Sequence, residues 1–105
     1  MDWAPANKQE VLTALEEDWV GIDPAVRVRL SSYLVDPRPA SIERFGKTEQ
    51  AFVVAQIKRH VVFFDDIEGD FGTAEEEGGK LSNTAAYGNI ALALRELEQQ
   101  ASADS

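Results

Sequence analysis

Apolar residues recur at helical spacing near both ends of the chain. In each stripe they stand three or four positions apart: Leu12, Leu15 and Trp19 in the first, and Tyr87, Ile90, Leu94 and Leu97 in the second. Such spacing is typical of a helix that buries one face. We therefore predict an N-terminal helix over residues 7–19 and a C-terminal helix over residues 89–100, followed by a frayed tail over residues 100–105.

Residues 24–34 fit two structures. Apolar residues at alternate positions from Val26 to Leu30 are typical of a half-buried strand, but the same segment also has an apolar helical face. Asp23 followed by proline is a helix-start signal, because aspartate caps a helix and proline suits its first position. We predict a second helix here, which the two prolines of residues 36–39 bring to an end.

The centre of the chain is dense in β-branched and aromatic residues. Residues 51–57 and 61–65 predict two strands of a central β-hairpin, joined by a short loop at residues 58–60. The loop lacks the Asn-Gly pair that marks the tightest hairpin turns. A helix over residues 48–60 is the competing interpretation.

The order helix, helix, strands, helix favours an α+β fold. We predict one domain over residues 1–105, with a three- to four-stranded antiparallel sheet around the central hairpin, two N-terminal helices and one C-terminal helix. Residues 41–45 form either a further short strand or a single turn, and Phe71 is a candidate for a short edge strand.

Composition narrows the class of protein. The 105 residues include no cysteine, so thiol catalysis, thiolate metal sites and disulfides are excluded. No apolar run is long enough to span a membrane and no signal peptide is visible, so we expect a cytoplasmic protein. The net charge of −9 argues against nucleic-acid or anionic-membrane binding and favours a basic protein partner, or simply solubility.

The negative charge is concentrated after the hairpin. Residues 61–79 contain seven acidic residues and no basic residue. The acidic residues of this block are Asp65, Asp66, Glu68, Asp70, Glu75, Glu76 and Glu77. With Phe71 they form the candidate partner-binding site, which we expect to lie on a loop that leaves the hairpin.

Signals of catalysis are weak. His60 is the one histidine, and we expect it to be an exposed turn residue, with no nucleophile and orienting acid around it. No glycine motif for phosphate binding is present, and residues 66–70 do not follow the EF-hand pattern. We therefore expect neither a cofactor nor a catalytic residue. A metal-binding or small enzymatic domain that uses the acidic block is the alternative.

One stretch of the chain combines strand-like segments with an acidic pair and an aromatic residue: Phe52–Ala55, Val61–Glu68 and Phe71. This stretch resembles the hairpin of small acidic bacterial immunity-type proteins, which neutralise a toxin in the cytoplasm. The resemblance covers about twenty residues. It implies an inhibitor that binds a toxin through an acidic face and has no catalysis of its own. A third hypothesis is a structural or regulatory domain that forms a homodimer through an exposed hairpin edge.

Overall fold

The computed structural model describes residues 8–44, 46–65 and 69–103 of the chain. The helices and strands follow in this order: α1 (Lys8–Trp19), α2 (Pro24–Leu30), a 3₁₀ turn (Ser31–Tyr33), β1 (Leu34–Arg44), β2 (Lys47–Ile57), β3 (His60–Asp65), β4 (Asp70–Glu77), β5 (Lys80–Gly88) and α3 (Ile90–Ala103). The α+β class is thus confirmed. The sheet has five strands instead of the three or four predicted.

The five strands form a closed barrel in sequence order. Each strand runs antiparallel to the next, and β1 meets β5 in a short parallel pairing at Ser41–Lys80 and Ile42–Leu81. Both strands of the predicted hairpin are therefore inner strands, since β2 lies between β1 and β3, and β3 lies between β2 and β4. Within the described residues, β1 pairs with β2 as far as Ala55, and β4 pairs with β3 along the whole length of β3.

Strand alternation divides the apolar residues into two layers. The outer layer lies between the barrel and the helices, where Phe52, Val54, Val62, Phe64 and Phe71 meet α1 and α3. The inner layer contains no helical residue and fills the barrel: Ala40, Ile42, Ala51, Val53, Val61, Phe63, Ala74 and Leu81. The central strands read as continuous apolar runs because both of their faces are buried.

The second helix is shorter than predicted. Asp23 caps it as expected, with Oδ1 accepting a hydrogen bond of 2.9 Å from the backbone N–H of Ala25. The helix ends at Leu30, the 3₁₀ turn follows, and Leu34 already belongs to β1. That strand then runs through both prolines of residues 36–39. They are tolerated because this half of β1 has β2 on one side only, and its register is irregular there.

The central hairpin is confirmed, and the competing helix over residues 48–60 is wrong. The strands are longer than predicted, and the turn consists of Lys58 and Arg59, with Lys58 in the left-handed region at φ 56°. His60 is the first residue of β3. The prediction of an exposed turn histidine is wrong, because His60 exposes only 7% of its surface.

The segment after the hairpin departs most from expectation. The predicted acidic loop is largely β4, and β5 was not predicted at all. Tyr87, assigned above to the C-terminal helical stripe, lies in β5. Helix α3 starts next to the expected cap, since Asn89 Oδ1 accepts a hydrogen bond of 2.9 Å from the N–H of Leu92. It continues to Ala103, so the predicted frayed tail is helical up to that residue.

None of the helices in the described ranges is both long and apolar enough to cross a lipid bilayer.

Candidate functional site

The acidic block is divided between the two ends of β4. Asp65 ends β3 and Asp70 begins β4, and the two residues are direct cross-strand partners. Glu75, Glu76 and Glu77 lie at the far end of β4. Glu75 lies five residue steps along the strand from Asp70, which is about 17 Å at roughly 3.4 Å per residue. Asp66 and Glu68 lie outside the described residues.

A strand also separates neighbouring carboxylates, because successive side chains point to opposite faces of a sheet. Glu76 lies on the same face of β4 as Ala74, a residue of the barrel interior, and Glu75 lies on the outer face. Phe71 is not available to a partner, since it exposes 2% of its surface in the outer core layer. Its ring packs against Phe64 with the centroids 5.2 Å apart. The expectation of one continuous acidic loop is therefore wrong.

Glu76 forms an ion pair that covers one end of the barrel interior. Both guanidinium terminal nitrogens of Arg38 donate to its carboxylate, with an Nη2–Oε1 distance of 2.6 Å and a second contact between Nη1 and Oε2. Gln56 Oε1 accepts from the same Nη2 at 2.9 Å. The amide of Gln56 in turn donates to the carbonyl of Lys58 at 2.7 Å. This network joins β1, β2 and β4 where β5 does not reach β1.

The ion pair is largely shielded from solvent on the side of the carboxylate. The side chain of Glu76 is 10% exposed, whereas that of Arg38 is 38% exposed. Hydrogen bonding from Arg38 holds the pKa of Glu76 below its ordinary value of 4.5. The same contact raises the pKa of Arg38. Both groups are therefore charged at neutral pH, and their ion pair covers this end of the barrel interior.

Glu75 belongs to a second polar group on the outside of the barrel. Arg59 Nε lies 3.2 Å from Glu75 Oε1, and Asn83 Nδ2 donates to Oε2. Asn83 adopts a left-handed conformation at φ 50°, at a bulge of β5 that turns its side chain toward Glu75. An open pocket of about 360 Å³ lies here. Its lining residues are Arg59, His60, Glu75, Asn83, Gln100 and Ala103.

The floor of this pocket was missed from the sequence. His60 stands opposite Glu75 in the β3–β4 register. Gln100, near the end of α3, donates to Thr73 Oγ1 at 3.2 Å, and Thr73 is fully buried. The period-two series formed by His60, Val62 and Phe64 was the available signal, because it extends the apolar outer face of β3 back to the histidine.

The other end of the barrel interior carries two aspartates. Asp65 lies two residues after Phe63 on β3, and Asp70 lies two residues before Gly72 on β4. Both aspartates therefore occupy inward-facing positions at the end of the barrel opposite to Glu76. Both are half-buried. Like charges directly across an antiparallel pair destabilise it. This juxtaposition is the strongest concentration of negative charge that the register itself imposes.

Further exposed carboxylates lie on α1. Glu10, Glu16 and Glu17 all occupy its solvent-facing side. Among the ion pairs of the described residues, neither Glu16 nor Glu17 takes part in one. Across residues 8–44, 46–65 and 69–103, no three histidine, aspartate or glutamate side chains come close enough to hold a metal ion together.

Comparison with known proteins found no matching family model, no matching curated protein and no matching solved structure.

Proposed function

We propose that the chain is a small non-catalytic binding protein that engages a basic protein partner through the acidic end of its barrel. The observation that carries this proposal is the direct opposition of Asp65 and Asp70. A cationic side chain of a partner placed beside this cross-strand pair would lie close to two negative charges at once, so binding would gain from charge complementarity.

The overall charge supports the same partner chemistry. A net charge of −9 attracts a basic protein over distances of about one Debye length, roughly 8 Å at physiological salt. The exposed carboxylates of α1 add to this field. Such steering increases the association rate and makes it sensitive to salt.

The contact residues are fewer than the sequence predicted. Phe71 is buried in the core. Glu76 forms an ion pair with Arg38, and Glu75 forms one with Arg59. We assign the central contact to Asp65 and Asp70. An immunity-type inhibitor of a basic toxin remains the specific form of this proposal, since such a protein needs an acidic face and no catalytic group.

The proposal is tested by titrating the purified chain against proteins encoded beside its own gene, with surface plasmon resonance at increasing salt. We expect one of them to form a complex whose association rate falls as salt rises. The variant Asp65→Asn/Asp70→Asn should weaken that complex by about tenfold or more, in line with loss of close charge pairs.

The matched control is Glu16→Gln/Glu17→Gln, which removes the same charge from α1. It should lower the association rate slightly and leave the dissociation rate unchanged. Salt-indifferent binding, or equal losses in the two double variants, would contradict a contact centred on the barrel end.

A further inference from the structure

Strand β5 has a free edge over most of its length. It pairs with β1 only at Lys80 and Leu81. From Asn83 to Gly88, its other side is paired with β4, and no described strand lies on the side toward β1. Tyr87 O already accepts a hydrogen bond of 3.1 Å from the N–H of Asn89, and no described strand pairs with the remaining backbone groups on that side, which leaves them open to pairing with another strand.

The free part of β5 is exposed and carries no charge. Asn83, Thr84, Ala86 and Gly88 are exposed, and Ala85 and Tyr87 are half-exposed. No aspartate, glutamate, lysine, arginine or proline occurs from Leu81 to Asn89. Small side chains predominate, so a second backbone can approach closely.

Other partly free edges of the same barrel are protected. The first half of β1, which β5 does not reach, contains two prolines together with Asp36 and Arg38. The start of β2, which β3 does not reach, contains Lys47 and Glu49. Prolines and charges are the usual means of preventing edge-to-edge pairing. In β5 the remaining protection is the curvature of two bulges, one near Asn83 and one at Tyr87.

We propose that β5 pairs with the β5 of a second copy of this chain, antiparallel across a twofold axis. A register centred between Ala85 and Ala86 places Thr84 opposite Tyr87 and Asn83 opposite Gly88. Every such pair is uncharged, so two strongly acidic chains meet at a place where no like charges oppose each other. An uncharged edge offers a basic partner nothing to recognise by charge, which favours a second copy as the occupant.

The dimer is weak. The straight stretch between the bulges is short, so we expect the contact to bury less than the roughly 1,000 Å² that a stable interface needs. Association therefore depends on protein concentration. Added salt strengthens it by screening the repulsion between two chains of charge −9.

Sedimentation velocity over about a hundredfold range of concentration tests this inference, because self-association follows mass action. We expect the wild-type chain to shift from monomer toward dimer as concentration rises. Thr84→Lys should weaken the dimer by about tenfold, since lysine on an edge blocks pairing. Thr84 is exposed, so the substitution leaves folding intact, and thermal unfolding by circular dichroism verifies this.

The matched control is Thr48→Lys, an exposed threonine on the protected edge of β2. Both variants reduce the net negative charge equally, which by itself favours association. Loss of the dimer in Thr84→Lys alone, with slower amide hydrogen exchange of residues 84–88 at high wild-type concentration, supports pairing through β5. A strict monomer, or equal behaviour of the two variants, overturns it.

Discussion

At one end of the barrel interior, Arg38 binds Glu76 through both of its terminal nitrogens, whereas at the other end Asp65 stands directly opposite Asp70. Strand β4 contributes a carboxylate to each end, Glu76 to the first and Asp70 to the second. At the Arg38 end the carboxylate is part of the fold, because its partner comes from β1 and joins the barrel where β5 stops. At the aspartate end the charges oppose each other, which is a cost to stability and an opportunity for binding.

The largest expected effect tests the packing near the aspartate end. Gly72 lies under the ring of Phe63, and a Cβ there would come within 2.4 Å of the carbonyl oxygen of Ala85 and 3.2 Å of that ring. Gly72→Ala should lower the free energy of unfolding by about 3 kcal/mol through overpacking. Urea denaturation measures this. Gly21→Ala is the control, because its Cβ meets only Asp18 O at 3.7 Å. A loss below that of the control would show that the barrel relaxes there.

The second prediction concerns the paired end. Arg38→Met removes both donors from Glu76 and leaves a carboxylate with a 10% exposed side chain without its partner. We expect a loss of about 2 kcal/mol in unfolding free energy, reduced from the value for a fully buried pair because Arg38 is partly exposed. Arg59→Met is the matched control on the outer ion pair. The Arg59 side chain is 60% exposed, so its loss should stay within about 0.5 kcal/mol.

The third prediction is a pH dependence. Because the pKa of Glu76 is lower in the folded state than its ordinary value of 4.5, its contribution is present above that value and disappears as the pH falls through the folded pKa. At neutral pH, Glu76→Gln should be less stable than wild type by about 1 kcal/mol. Below pH 4.5 this difference should shrink, as denaturation curves at several pH values would reveal. A constant difference would contradict the assignment to ionised Glu76.

The smallest expected effect has the opposite sign. Asp70→Asn removes one of two opposed charges and should raise the free energy of unfolding by about 0.5 kcal/mol at low salt. The gain should fade as salt rises, since screening weakens the repulsion in the wild-type protein. Thermal unfolding at low and high salt checks this. A destabilised variant would mean that Asp70 supports the fold, and the comparison between the two ends would lose its basis.

Patterns among neighbouring residues predicted the helices that bury one face and the strands that bury both faces. Helices α1 and α3 follow from their apolar stripes, and the hairpin of β2 and β3 follows from its density of branched and aromatic residues. The apolar stripe of α3 wrongly included Tyr87, because a strand residue that packs against the outer layer can stand by chance at helical spacing from the residues of the helix. Strand β5 itself is rich in Ala, Ser, Asn and Thr, which carry little strand signal.

The candidate site was predicted only in part. The sequence pattern identified the carboxylates from Asp65 to Glu77, but it predicted that they lie on one loop. Once Asp70–Glu77 is a strand, Glu75 and Glu76 must point to opposite faces. Arg38 gave no signal as a partner of Glu76, since 38 residues separate them.

The sequence by itself determined the helices at both ends, the central hairpin and the strongly acidic character, since each follows from neighbouring residues or from composition. Tertiary structure alone decided that five strands close into a barrel, that Arg38 meets Glu76, and that Asp65 faces Asp70. The physical reason is that register and closure depend on contacts between distant segments, and strand alternation then fixes which side of the barrel each charge occupies.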